Sequence, residues 1–488
     1  MRSSAAWAMG FPTGDPELAD ERLRLSDVGK LLRRARRGVL GAARAGDRRD
    51  VRTILAEHLG DGVGDAEVVE EAWPGYDQVN VQVALDHWLA APGRDHELVG
   101  LVHFRGEFFG LTDLLHADPF SPGPRPGAVS WLTLPCGPDG EVVRAVRGGL
   151  YLVSEGLLRL AVLVVAGDPD MGDGGIQVQV AADDPETALR AVTELRALAV
   201  RHNVFRGRMV SFSGDVFGER GPALHFQRRP HLSPDQVVVP AQTWESVQRQ
   251  VVTVARHRDR LLAAGQHLKR GLLLYGPPGV GKTHLVRYLC GQLSGTTVIE
   301  VSGAALGMIS EACSVARTLQ PAMVVVEDVD LIAEDRELGM GDSPLLFTLL
   351  NEMDGLAEDA DVVFLLTTNR ADLLEPALAS RPGRVDQAVA LELPDAEARA
   401  RLFALYRGQL QVDESRLDSV LARTEGVTAS FLKELLRRSA VLAADAGRHD
   451  ATAPLSVSAD QLDAALEELL DSANAMTRVL LGSRRSPE

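Results

Sequence analysis

The chain has 488 residues and a formal net charge of −17. A chain of this length is expected to divide into about two to four domains, because one hydrophobic core seldom serves so many residues. The acidic balance weighs against broad nucleic-acid binding, for which a basic surface usually supplies the affinity.

Cysteine usage and hydropathy indicate in which cellular compartment the chain is expected. The three cysteines lack CxxC spacing, which weighs against a disulfide framework or a zinc cluster and fits a reducing compartment. The longest apolar run, over residues 157–166, contains Arg159 and is too short to cross a bilayer. We therefore expect a cytoplasmic protein without a membrane span.

The N-terminal half carries strand and helix signals but no recognisable chemistry. Residues 1–125 are expected to form a helical and α+β region of unknown function, and residues 126–228 a small α+β domain. A basic stretch over residues 30–37 is either an arm for an anionic surface or the solvated face of a packed helix. Before residue 230 the sequence offers no nucleophile–base pair and no metal constellation. A helix beginning at Pro185 is expected to turn Leu189 and Val192 inward.

The most specific pattern is residues 276–283, which fit G-x-x-x-x-G-K-[ST]. A buried strand is predicted before it and a helix with a leucine stripe after it. In that setting successive N–H groups form a nest for phosphate oxygens, and the helix N-terminus adds its positive end. An ordinary glycine turn is the alternative. The residues expected to contact the nucleotide are Gly276, Pro277, Pro278, Gly279, Val280, Gly281, Lys282, Thr283, His284 and Leu285.

Two residues of this loop have specific expected roles. Lys282 would reach the β- and γ-phosphates as a point charge, and the Thr283 hydroxyl would bind Mg²⁺. Two carboxylates, Glu327 and Asp328, follow an apolar run at residues 323–326, where an open α/β sheet binds its ligands. One is expected to serve the metal and the other to polarise the attacking water, the alternative being solvated acids at a strand end.

Apolar runs alternate with helical segments through this part of the chain. They predict a parallel sheet covered on both faces, an α/β fold over residues 243–394. A linker over residues 229–242 would precede this domain, and a helical lid over 395–475 and a frayed tail over 476–488 would follow it. The expected strands cover residues 271–275, 297–301, 323–326, 362–367 and 388–393.

Five segments in order resemble the AAA family of ATPases: GPPGVGKT at 276, MVVVEDVD at 323, LLNEMDG at 349, TTNR at 367 and EPALASRPGRVD at 375. The resemblance covers about residues 240–470. It implies the P-loop fold and Mg²⁺-dependent ATP hydrolysis in a homo-oligomeric ring, expected to be a hexamer, that remodels or disassembles a protein partner. That substrate or adaptor would be recruited by the N-terminal half. The alternative is an ATP-dependent assembly switch or scaffold with slow turnover and no polypeptide threading.

The resemblance also implies roles for individual residues. By position Glu327 takes the metal role and Asp328 the base role, although the order Glu-Asp reverses the commoner one and leaves an exchange of roles open. Asn369 matches the polar sensor of the γ-phosphate or the lytic water. Arg381 and Arg384 match arginine fingers that reach a neighbouring subunit, with one extra residue before them relative to the common spacing.

One expected feature of protein unfoldases is missing. The family's unfoldases usually carry an aromatic-hydrophobic-glycine pore loop after the second strand. Here residues 306–309 (LGMI) are the nearest candidate and lack the aromatic residue, which weighs against threading of an extended polypeptide.

Overall fold

Two seven-stranded β-sheets, each with helices on both faces, organise the chain. The structure is a computed structural model that describes residues 50–60, 66–102, 110–116, 124–167, 175–213, 223–331, 344–372, 385–446 and 454–471. The basic stretch at residues 30–37 lies outside the described residues.

The first sheet is antiparallel throughout, in the order β1-β7-β6-β5-β2-β3, with β4 paired to the first half of the long strand β5. Its strands are β1 (Glu67–Trp73), β2 (Arg94–Val102), β3 (Arg125–Gly127), β4 (Ser130–Pro135), β5 (Val142–Glu155), β6 (Leu158–Ala166) and β7 (Ile176–Ala182).

Two helices cover each face of this sheet. One face carries α1 (Val51–Leu59) and α3 (Leu111–Leu115), and the other carries α2 (Gln78–Leu89) and α4 (Pro185–Arg201). Helix α4 begins where the sequence predicts, because the Asp184 carboxylate accepts the Thr187 N–H and proline occupies the first turn. Val192 is buried as expected, whereas Leu189 is 56% exposed and Ala188 takes the buried place beside it.

The predicted division at residue 125 differs from the observed sheet. Strands β1 and β2 lie before that position, yet they pair with β7 and β5 after it. Backbone hydrogen bonds of one sheet therefore join the two predicted regions into a single folded unit. Pairing between distant strands leaves little trace in local sequence patterns, which is why the join was missed.

The second sheet has the order β14-β10-β13-β12-β11-β8-β9 and is parallel from β14 to β8, with β9 antiparallel at the edge. Its strands are β8 (Met209–Ser213), β9 (Ala223–Gln227), β10 (Arg270–Tyr275), β11 (Thr297–Val301), β12 (Ala322–Val326), β13 (Val362–Thr368) and β14 (Gln387–Ala390). The helices around it are α5 (Ala241–Val247), which continues as a π-helix (Gln248–Thr253), then α6 (Arg258–Ala263), α7 (Lys282–Gln292), α8 (Ile309–Thr318) and α9 (Pro344–Asp354).

The predicted parallel α/β sheet is confirmed, but it is wider than the sequence indicates. The hairpin β8–β9 lies before the predicted boundary at residue 228 and nevertheless extends the sheet by pairing β8 with β11. The N-terminal unit packs against this hairpin, where Tyr76 meets Phe212 edge to face with ring centroids 5.6 Å apart. The two sheets are thus linked by an apolar joint.

The C-terminal part is a small helical lid with its own core. Its elements are α10 (Ala396–Arg407), β15 (Gln411–Val412), α11 (Leu417–Arg423), α12 (Ala429–Ala446), β16 (Ser456–Val457) and α13 (Ala459–Leu470). The helices bury an apolar cluster that includes Phe403, Phe431 and Leu435, against which Val238 of the linker packs. Across the part of the chain that the structure describes, no helix combines the length and apolarity needed to cross a bilayer.

Candidate nucleotide-binding site

The glycine loop joins the end of β10 to the start of α7, as the sequence predicts. Gly276, Gly279 and Gly281 all have φ in the left-handed region, at 149°, 79° and 107°. A Cβ on Gly276 would lie 2.1 Å from the Leu391 carbonyl oxygen, so the loop passes β14 at a distance only glycine allows. The backbone here has the shape of a phosphate-binding nest.

The lid touches the loop directly. The Gly279 carbonyl oxygen accepts a hydrogen bond from the Ser430 N–H at 3.1 Å, at the start of α12. A Cβ on Gly279 would lie 3.0 Å from the Thr428 hydroxyl oxygen. The sequence predicted a helical lid but gave no signal of this contact, which couples the lid position to the loop.

Lys282 lies at the centre of the site and is 7% exposed. Its ammonium group donates to the carbonyl oxygens of Gly276 at 2.8 Å and Pro277 at 3.0 Å, and to Asn369 Oδ1 at 2.7 Å. Burial lowers the pKa of Lys282, and the nearby carboxylates of Asp328 and Asp330 act in the opposite direction. A desolvated cation that bonds neutral oxygens is well suited to meet phosphate oxygens instead.

The remaining predicted loop residues have mixed positions. Val280 and Leu285 are buried in the core of the sheet, which fixes the loop and the first turn of α7. His284 Nε2 lies 2.9 Å from the carbonyl oxygen of Gln236 in the linker, so this contact ties the linker to α7. Pro278 is exposed at the tip of the loop.

Glu327 lies beside Thr283 at the carboxyl end of β12. Burial raises the pKa of Glu327, repulsion from Glu300 raises it further, and a hydrogen bond with the Thr283 side chain lowers it. Its Oε1 atom is buried and finds no hydrogen-bond partner among the described residues. A hydroxyl and a buried, unsatisfied carboxylate oxygen form an oxygen donor set of the kind Mg²⁺ prefers.

Asp328 points instead toward Asn369. The Asn369 amide donates to Asp328 Oδ1 at 3.1 Å, while its own oxygen accepts from Lys282. Asp328 has φ of 52°, the one positive φ outside glycine in the described chain, and its N–H donates to the Thr367 hydroxyl at 3.1 Å. Such backbone conformations cost about 1–3 kcal/mol and cluster at functional sites. Lys282, Asn369 and Asp328 thus form one hydrogen-bonded chain.

A further acid lies behind this chain. Asp330 is 6% exposed, and its Oδ1 accepts the Thr368 hydroxyl at 2.8 Å and the Asn369 N–H at 3.1 Å. Asp330 is the last residue of the MVVVEDVD segment, and the sequence predicted no role for it. Its spacing two residues beyond Asp328 was the available signal, although spacing alone does not distinguish a buried acid from a solvated one.

The two remaining features from the sequence are the arginine fingers and the pore-loop candidate. Arg381 and Arg384 lie outside the described residues, so their role stays a prediction. The pore-loop candidate at residues 306–309 forms the end of a 3₁₀ helix (Gly303–Met308) and the first residue of α8, and Leu306 and Ile309 are 5% and 0% exposed in the core shared with Phe212. Leu306 and Ile309 therefore pack beneath the β8–β9 hairpin and do not project from the sheet.

The loop, Lys282 and the pair of Thr283 with Glu327 fit a magnesium nucleotide. No set of three or more His, Cys, Asp or Glu side chains gathers as a metal site within the described ranges. The H-E-x-x-H pattern of zinc peptidases does not occur in the sequence.

Comparison with known proteins agrees with this reading of the site. The model of the family described as "ATPase family associated with various cellular activities (AAA)" matches residues 272–393. Over 218 residues the chain is 33% identical to the ATP-dependent zinc metalloprotease FtsH of Thermus thermophilus, covering 42% of this chain and 35% of that protein.

Two further relatives carry similar names. FtsH 2 of Sphaerobacter thermophilus is 35% identical over 206 residues, 40% of this chain and 31% of that protein. The chloroplastic FTSH 1 of Oryza sativa is 28% identical over 420 residues, 76% of this chain and 60% of that protein. The chain thus spans 31–60% of the length of these three relatives. The match over residues 272–393 and the FtsH relatives indicate an ATP-hydrolysing enzyme that uses ATP with Mg²⁺.

Proposed function

We propose that the chain assembles into a homo-oligomeric ring, a hexamer, and couples ATP hydrolysis to remodelling of a protein partner recruited by its N-terminal half. The observation that carries this proposal is the chain of hydrogen bonds from Lys282 through Asn369 to Asp328. It gathers a phosphate-binding cation, a polar sensor and an acid at the carboxyl edge of a parallel sheet, where such sheets bind ligands. The three free cysteines support a reducing compartment such as the cytoplasm.

The geometry favours one assignment of the two carboxylates. Glu327, beside the Thr283 hydroxyl, would hold Mg²⁺, and the bound metal would neutralise charge on the phosphates. Asp328, beside Asn369, would orient and deprotonate the attacking water. The positions of Glu327 and Asp328 in the sequence motif imply the same assignment. The left-handed backbone at Asp328 aims a side chain one methylene shorter than glutamate toward Asn369.

A neighbouring subunit would complete the site. Arg381 and Arg384 lie in the segment that resembles the family's arginine fingers, and a finger supplied in trans is worth about 10³–10⁵ in turnover rate. ATP hydrolysis should therefore depend on protein concentration and rise as the ring assembles. The substrate or adaptor is a protein, since the acidic chain lacks the basic field that nucleic-acid binding requires.

A second candidate is an assembly switch with slow turnover and no threading. Burial of Leu306 and Ile309 favours it, because the segment nearest to a pore loop here packs in one core cluster with Phe212 and with Val79 of the N-terminal unit. ATP binding would then change how the N-terminal unit is held rather than pull a polypeptide through the ring.

A single experiment separates the two candidates. ATP hydrolysis by the full chain is measured across a concentration series, together with particle mass by light scattering, with ATP, with ADP and without nucleotide. Remodelling predicts steady turnover that rises with assembly and is stimulated by a captured partner. The switch predicts ATP-locked assembly with single-turnover hydrolysis slower than about one per minute, well below the usual enzymatic range. Absence of hydrolysis in an assembled wild-type ring would contradict both.

A further inference from the structure

We propose that Asp330 is a positioning residue that sets the orientation of Asn369 toward the nucleotide. It lies behind the site, on the loop that follows β12, and contacts the end of β13. The inference rests on the proposed placement of Asn369 beside the γ-phosphate or the attacking water.

The carboxylate of Asp330 holds the end of β13 through two hydrogen bonds on one oxygen. Oδ1 accepts the Thr368 hydroxyl at 2.8 Å and the Asn369 N–H at 3.1 Å. Thr368 is 0% and Asp330 6% exposed, so water competes little for these bonds. Hydrogen bonds to a buried charged acceptor are shorter and stronger than neutral ones, which makes the carboxylate an effective clamp.

Two hydrogen bonds from backbone N–H groups already join the loop after β12 to strand β13, and the Asp330 contact differs from both. The Asp328 N–H donates to the Thr367 hydroxyl at 3.1 Å, and the Val329 N–H donates to the Thr367 carbonyl oxygen at 2.9 Å. Both contacts attach the β12 loop to Thr367, two residues before Asn369. Of Asp328, Val329 and Asp330, only Asp330 bonds the Asn369 backbone. This bond fixes the backbone position from which the amide side chain extends.

The hold on the backbone matters most when nucleotide binds. In the structure the Asn369 amide is oriented by Lys282 at one end and Asp328 at the other. Lys282 is expected to turn from Asn369 to the phosphates, which removes one of these two constraints. The Asp330 contact does not depend on Lys282, so it would keep Asn369 in place during turnover.

The test is a double-mutant cycle on ATP hydrolysis by the full assembled chain. Asn369→Ala should lower kcat about 100-fold, as loss of one catalytic donor commonly does. Asp330→Ala should lower kcat by about 10- to 100-fold, the usual effect of a group that orients a catalytic ligand. If Asp330 acts through Asn369, the double variant is no slower than Asn369→Ala, within about twofold. Asp330→Asn, which keeps an acceptor oxygen in place, should recover most of the rate.

Binding of a fluorescent ADP analogue separates positioning from collapse of the site. Asp330→Ala should keep the nucleotide Kd within about twofold, since the loss is in kcat alone. The matched control is Asp361→Ala, at the opposite end of β13, where the acid pairs with Arg270 at 3.3 Å. This control should lower the melting temperature but combine additively with Asn369→Ala in kcat. If Asp330→Ala does not fold, Asp330→Glu, which displaces the acceptor by one methylene, replaces it in the cycle.

Each outcome is decisive. Multiplying losses in the double variant, a nucleotide Kd that rises as much as kcat falls, or an Asp330→Asn variant as slow as Asp330→Ala would overturn the positioning role. Wild-type turnover in Asn369→Ala would instead remove the proposed role of Asn369, and the inference about Asp330 with it.

Discussion

The two seven-stranded sheets of this chain have similar size and opposite layouts. The N-terminal sheet is antiparallel, so successive strands end at opposite edges and their loops are divided between the two. The second sheet is parallel from β14 to β8, and β10, β12 and β13 all end at one edge. Lys282, Asp328 and Asn369 follow those three strands and therefore meet. Parallel strands gather polar residues from distant parts of the sequence at one place, and this chain has its recognisable chemistry there.

The largest effect on turnover is expected at the boundary between subunits. Arg384→Ala should lower turnover by about 10³–10⁵-fold without loss of nucleotide binding, because a finger acts on the neighbour's transition state. Steady-state ATP hydrolysis at a concentration where light scattering shows the assembled ring measures it. Mixing this variant with Lys282→Ala should restore part of the activity, since each supplies what the other lacks.

The control for the finger is Arg416→Ala, an arginine paired with Asp460 and Asp463 on the lid surface. Exposed ion pairs contribute little to stability, so turnover should stay close to wild type. Full activity in Arg384→Ala, or equal losses in both variants, would contradict the cross-subunit site.

The next effect lies at the carboxyl edge itself. Asp328→Asn should lower kcat by about 10²–10⁴-fold, the contribution typical of a general base, while the chain still binds ATP through Lys282. Rapid-quench hydrolysis and retention of labelled ATP measure the two properties separately. The matched control is Asp359→Asn, an exposed acid before the amino end of β13, which should hydrolyse ATP normally. A variant that loses ATP binding along with turnover would count against the base assignment.

A third substitution tests the joint between the two sheets. Leu306→Ala should lower the free energy of unfolding by about 2–5 kcal/mol, because it leaves a cavity where the side chain is 5% exposed. Denaturant melts measure the change, and Leu157→Ala, at a 95% exposed hairpin position, is the neutral control. If the segment were a free pore loop, Leu306→Ala would leave stability unchanged and affect only partner handling.

The smallest effect is on stability and depends on pH. Folding raises the pKa of Glu327, so its protonated form favours the folded state at low pH and that stability is lost as pH rises through the folded pKa. Without metal, Glu327→Gln should therefore melt about 1–2 °C higher than wild type near neutral pH. The gain should vanish as pH falls to the ordinary range of glutamate.

The control for this substitution compares the melting temperatures of wild type and variant with bound nucleotide. Mg²⁺ with ATP should raise the melting temperature of the wild type more than that of Glu327→Gln, because the variant lacks the metal ligand. A variant that melts lower than wild type at every pH would contradict a Glu327 carboxylate whose pKa is raised by burial.

The local elements that carry the candidate site were more predictable from the sequence than the layout around them. A short contiguous motif encodes the loop from Gly276 to Thr283, and apolar runs marked β10 to β13 to within a residue or two. The pairing of β8 with β11 was not predictable, because the two strands are separated by more than 80 residues and a strand does not encode its neighbour. The burial of Asp330 and the contact of Ser430 with Gly279 were missed for the same reason: both are set by tertiary packing.

The most direct test of the central claim is an experimental structure of the assembled Asp328→Asn chain with Mg²⁺ and ATP. We expect Lys282 Nζ and the Asn369 amide each to lie about 3 Å from γ-phosphate oxygens, with Glu327 and Thr283 on the metal side. A γ-phosphate remote from both Lys282 and Asn369 would contradict the account.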